Sequence, residues 1–156
     1  MNREIKFRGK PCYKGVKTWP WIYGTFQYIA QRLVNPGGTD NGTLVPRVDK
    51  GRIVDLYGNK TEVLCDTVGQ FTGLYDKNGK EIYEGDILKV ECTDGSSIYK
   101  IVRFVPEKAA FCMANTFEIK DEGRWDIWSY VSQRGIKEIE VSVIGNIHDN
   151  PELSKQ

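Results

Sequence analysis

Apolar and polar residues alternate with period two over most of this chain, the pattern of strands with one buried face. Glu4 to Arg8 puts Ile5 and Phe7 on one side and Glu4, Lys6 and Arg8 on the other. Trp21 to Ile29 is dense in aromatic and β-branched residues and predicts a strand, with a bulge at Gly24. Arg52–Tyr57 and Thr61–Leu64 flank Gly58-Asn59, and Val68–Tyr75 and Glu81–Tyr83 flank Asn78-Gly79. Both pairs predict hairpins, the second through a type I′ turn with positive φ at Asn78 and Gly79. Asp86–Cys92 follows with Leu88, Val90 and Cys92 on one face, while Ile87 on the other calls for cover near the strand's start. Further strands are expected over Ile98–Val105, Ala109–Glu118 and Ile139–Ile147, the last with Ile139, Val141, Val143 and Ile147 inward.

Between Asp121 and Gly135 the period is double. Trp125, Trp128 and Val131 share a helical face, whereas Trp125, Ile127 and Ser129 alternate; a short helix is the reading adopted. The segment from Asn35 to Gly42 holds three glycines and no large apolar group, and is expected to be a flexible loop at about 35–42. Roughly eight to ten short strands with little room for crossover helices predict a mainly β chain. The expected architecture is an antiparallel β-barrel or strongly curled sheet with one short helix, in a single domain over residues 1–156.

Composition narrows the class without naming a function. At 40% hydrophobic and 28% charged residues the chain is of ordinary globular type. Its 22 Lys and Arg against 21 Asp and Glu leave a net charge of +1, so nucleic-acid binding gains no support from the total. Cys12, Cys65, Cys92 and Cys112 form no Cys-x-x-Cys pair, which argues against a zinc site. No signal peptide is recognisable and no apolar run approaches the ~20 residues of a membrane span. A soluble, cytoplasmic protein with reduced thiols, mostly core filler, is expected.

Three blocks carry a resemblance. Thr72-Gly73-Leu74 with Asp76-Lys77-Asn78-Gly79-Lys80-Glu81-Ile82-Tyr83-Glu84-Gly85-Asp86-Ile87 resembles the signature of the YopX-like family of bacteriophage and prophage proteins. Arg3 to Arg8 resembles that family's opening strand, and Ile144-Gly145-Asn146-Ile147-His148-Asp149-Asn150-Pro151-Glu152-Leu153 its closing motif. The resemblance implies a phage-encoded, mainly β, homo-oligomeric protein in a bacterial host. It supplies no catalytic residue and no cofactor. It also marks Gly73, Asn78, Gly79, Gly85, Asp86, Gly145 and Asn146 as motif positions.

Candidate chemistry reduces to three features. Asp76, Glu81, Glu84 and Asp86 are carboxylates on or beside one hairpin, the type of oxygen donor that divalent cations take, and would suit a metal-assisted hydrolase or nuclease. The competing reading, which we prefer, is turn stabilisation, since an aspartate ahead of Asn-Gly accepts backbone amide protons. His148 beside Asp149 has the elements of an oriented base, yet no nucleophile motif accompanies it, and a place in the chain's exit from the last strand is preferred. Trp19, Trp21 and Tyr23, near Lys14, Lys17 and Arg32, would stack on single-stranded bases or anchor a subunit interface. Core packing is the plainer account of them. The expected function is therefore a non-enzymatic binding or assembly module that self-associates or engages a bacterial host or phage protein. No membrane role is expected.

Overall fold

The computed structural model describes residues 4–12, 20–34, 40–92, 94–115, 125–126 and 140–153. The described chain is mainly strand, with two 3-10 turns at Cys65–Thr67 and Pro106–Lys108 and almost no helix. Contacts divide it into two compact units, one from Ile5 to Gln70 and one formed by Phe71–Gln156 with Met1–Glu4.

In the first unit β1 (Phe7–Gly9), β2 (Ile22–Val34), β3 (Asp40–Val54), β4 (Lys60–Leu64) and the start of β5 (Gly69–Tyr75) are hydrogen-bonded in the order β4-β3-β2-β1-β5, all antiparallel. Ile53 and Val63 are buried at its centre, with the Phe7 and Phe26 rings 5.9 Å apart. Beyond β1 the chain returns to the outer edge of β4: Leu64 N–H donates to the Lys10 carbonyl, Cys12 N–H donates to Glu62, and Pro11 bridges Val63. An isolated bridge is short of a strand ladder, and no ladder closes a barrel among the described residues.

β5 continues into the second unit and pairs there with β6 (Glu81–Tyr83). The register slips between Phe71 and Tyr75, so that the three residues between them face the single residue Ile82, and Gly73 lies in this bulge at φ 86°. The remaining strands, β7 (Asp86–Glu91), β8 (Ser97–Val105), β9 (Ala110–Asn115), β10 (Trp125–Asp126) and β11 (Glu140–Asn146), form an antiparallel sheet in the order β10-β9-β8-β7-β11. Ile82, Leu88, Val90, Val102, Phe111, Met113 and Val141 form one buried cluster. Ile87 is also fully buried, so β7 is covered on both faces at its start, as its sequence requires.

Several expectations are corrected. Trp125 and Asp126 pair with Met113 and Cys112 as strand, because a neighbouring edge supplies hydrogen bonds that the local period does not reveal; the rest of the helix expected over 121–135 lies outside the described residues. Asp40 to Gly42, expected in the loop at 35–42, begin β3, since Asp40 pairs with Val34; 35–39 are outside the described residues. No register shift occurs at Gly24; the irregularities of the β2–β3 pair fall between Tyr28 and Ile29 and between Arg32 and Val34. Gly24 is instead needed for close approach, because a Cβ there would overlap the Val54 carbonyl.

The turn at Asn78-Gly79 is not type I′. Only Gly79 has positive φ, at 79°; Gly79 N–H donates to the Asp76 carbonyl and Asp76 N–H donates to Lys80, the pattern of a three-residue loop with a glycine bulge. Asp55–Asn59 and Cys92–Ser96 repeat that pattern, with Gly58 and Gly95 at φ 81° and 82°. In all three the glycine is the fourth residue, and in two the first is an aspartate whose Oδ1 accepts the amides two and four residues on. That carboxylate favours this loop over the mirror-image turn.

Candidate functional site

Asp76 is held on both carboxylate oxygens. It is only 8% exposed, and Oδ1 accepts the amides of Asn78 at 2.8 Å and Lys80 at 2.9 Å while Oδ2 accepts that of Val143 at 3.0 Å. Burial pushes its pKa up, but the Val143, Lys80 and Asn78 amides outweigh it and hold the group below the ordinary 3.8. Asp86 is 1% exposed and accepts the Tyr83 amide at 2.8 Å. Glu81 accepts the Tyr83 hydroxyl at 2.7 Å, and Glu84 accepts the Phe104 amide at 3.3 Å. Each carboxylate thus has its own protein donor. Among the described residues no group of three His, Cys, Asp or Glu side chains is placed to hold a metal ion.

The Gly85-Asp86 corner and the closing motif meet. Gly85, at φ 83°, donates its N–H to Val102 and accepts the Ile147 N–H at 2.9 Å, and Asp86 pairs with Asn146 in the β7–β11 register. Asn146 then forms a side-chain turn: Oδ1 accepts the amides of His148 and Asp149, both at 2.9 Å, and Nδ2 donates to Asp149 at 2.8 Å. Gly145 sits under Asn150, whose side chain a Cβ would meet. His148 is exposed on this turn.

The aromatic row is only partly described, since Trp19, Lys14 and Lys17 lie outside the described residues. Trp21 and Tyr23 flank β1, and three cations approach them: Arg8 and Lys10 stand 4.4 and 4.5 Å from the Trp21 ring centre, and Lys6 stands 5.9 Å from that of Tyr23. In the sequence Lys6 and Arg8 read only as a strand's polar side. Their alternation with Phe7 and Gly9, opposite an aromatic strand, was the signal available.

No disulfide joins the four cysteines; Cys112 is buried in β9, whereas Cys12 is exposed and does not fill a core. Glu91 is clamped by Lys89 and Lys77, both at 3.0 Å, and these bonds lower its pKa to about 2. No helix among the described residues is long and apolar enough to cross a membrane.

Fold and braces together define a mainly β protein of antiparallel sheets, with a glycine-aspartate corner bonded to its closing turn. The chain belongs to the YopX family: residues 27–155 match the family described as YopX protein. No curated protein matches it. Among solved structures it is similar to protein EF1440 from Enterococcus faecalis, at 22% identity over 98% of this chain and 99% of that one, with a TM-score of 0.49.

Proposed function

We propose that this chain is a non-enzymatic binding protein that self-associates, working in the cytoplasm of a bacterial host in the phage setting that its family resemblance implies. The observation that carries the proposal is the occupancy of Asp76, whose two oxygens accept three backbone amides and so serve the fold in place of a cation. Calorimetric titration of the full chain with Mg²⁺ and Mn²⁺ tests it. No heat of binding is expected; stoichiometric binding abolished by Glu81→Gln and Glu84→Gln would restore the metal-assisted hydrolase reading.

Self-association has a specific surface to use. Leu56 and Tyr57 are 97% and 90% exposed on the β3–β4 turn, which Asp55 braces by accepting the Tyr57 and Asn59 amides and the Asn59 side chain. A rigid turn presenting two large apolar groups loses little entropy on docking, which suits it to anchor a second copy. Light scattering should give a mass above that of the single chain, and Leu56→Ser with Tyr57→Ser should lower it. A monomer mass for the unmodified chain refutes this.

A further inference from the structure

We propose that the face of β1 and β2 carrying Lys6, Arg8, Lys10, Trp21 and Tyr23 binds single-stranded nucleic acid, with the Tyr23 ring stacking on a base beside the cation-held Trp21 and the two lysines contacting phosphates. This deepens the binding reading above by naming the class of partner. The first support is charge. The net +1 conceals a division: Ile5–Gln70 holds ten Lys and Arg against five Asp and Glu, a formal +5, whereas the rest of the chain holds twelve against sixteen, a formal −4. Such asymmetry between parts of a chain is an electrostatic footprint for a polyanion that a total cannot display.

Spacing supplies the second support. Lys6, Arg8 and Lys10 alternate with Phe7 and Gly9, which places the cations about 6.7 Å apart along one side of an extended backbone. That interval is close to the distance between successive phosphates of a stretched single strand. The rings lie beside this row, because Arg8 pairs with Tyr23 and Gly9 with Ile22, and Tyr23 is 43% exposed. Arg8 is buried, so its guanidinium positions the Trp21 ring and adds positive field, leaving phosphate contact to the lysines. Next along β2, Arg52 of β3 reaches across to Gln27 at 3.2 Å and extends the cationic surface.

The same features select the strandedness. Stacking needs bases with an open π face, which a duplex withholds. Positive charge alternating with rings on a sheet face is the composition of a sequence-tolerant single-strand platform.

Fluorescence anisotropy of a labelled oligothymidylate of about 16 nucleotides, titrated with the full chain across a salt series, tests the proposal. Expected are binding that weakens as salt rises, quenching of tryptophan emission, and a log–log salt slope reduced by about 0.7 in each of Lys6→Gln and Lys10→Gln. Tyr23→Ala should weaken binding about tenfold and Tyr23→Phe restore it. Ile98→Ser, on the exposed side of β8, should leave the affinity unchanged. Absence of an anisotropy rise at low salt from protein with a folded circular dichroism spectrum overturns the proposal. So does equal competition by duplex or by heparin, which would mark a general polyanion surface. Neither outcome alters the metal titration or the scattering mass, so loss of this inference is separable from loss of the binding reading.

Discussion

Replacing Asp76 by asparagine should destabilise the protein by about 3 kcal/mol. The carboxylate accepts the Asn78 and Lys80 amides on one oxygen and the Val143 amide on the other. Asparagine has one acceptor oxygen. Turned toward the hairpin, it leaves its own NH₂ facing the Val143 N–H, and an unsatisfied, part-buried amide costs about 2 kcal/mol. The two bonds that survive lose their charge assistance, about 0.5 kcal/mol each, since the solvated turn amides regain part of it from water. Urea unfolding should therefore show a midpoint lower by about 1.5 M for an m-value near 2 kcal/mol/M, with m unchanged. The gap between the two proteins should also depend on pH. Because the folded pKa of Asp76 lies below the unfolded value, its contribution is fully present above 3.8 and is lost as pH falls through the lower folded value. The stability difference should thus be constant at neutral pH and shrink below 3.8, where protonated Asp76 has no more acceptor charge than asparagine. A gap under about 0.5 kcal/mol at pH 7, or one that does not change on acidification, would refute the assignment of Asp76 as a charged brace.

Glycine substitutions should divide by mechanism. Gly24→Ala places a methyl on the Val54 carbonyl, must displace β3 and should lower Tm by about 10 °C, whereas Gly58→Ala meets nothing within 4 Å and should lower it by only about 3 °C through its left-handed φ. Equal shifts for the two would contradict the close approach of β2 and β3. Asn146→Ala removes the acceptor of the His148 and Asp149 amides and should cost about 1–2 kcal/mol by denaturant unfolding, with faster hydrogen exchange at those two amides. Unchanged exchange there would dismiss the side-chain turn.

Strand content was legible because period-two alternation is local, and the hairpins because glycine supplies positive φ at low cost. What was not legible depended on partners distant in sequence. β2 and β3 run for 13 and 15 residues through a Pro- and Gly-containing stretch that composition alone marks as loop, because their pairing is set by each other's hydrogen bonds. Trp125 and Asp126 are strand for the same reason. Asn78-Gly79 alone points to the mirror-image turn, and the cue that decides the loop is Asp76, three residues before the glycine. Asp55-Leu56-Tyr57-Gly58-Asn59 carries the same cue, and together they read as a rule: aspartate first and glycine fourth favours the three-residue loop. The basic aromatic face was hidden differently, by a net charge that sums two units of opposite sign.

The hairpin block and the closing block that resemble the YopX-like signature are far apart in sequence and are joined by direct contacts. Lys77 donates its amide to the Val141 carbonyl at 3.0 Å, Asp76 receives the Val143 amide, Asp86 pairs with Asn146, and Gly85 receives the Ile147 amide. The hairpin and the last strand are thereby joined along their length, through backbone groups at every link and one buried carboxylate. Between Val143 and Gly145 the β11 register shifts, leaving Ile144 37% exposed while Val141 stays buried. That bulge allows the Asp76 link upstream and the Gly85 link downstream to be made by one strand, because it resets the pairing between them. A glycine that must adopt positive φ, an aspartate that must accept amides and an asparagine that must cap a turn are geometric requirements of this junction. Their hydrogen bonds are made within the fold, and the surface proposed above to meet a partner lies instead on the +5 unit, where charge and exposed rings coincide.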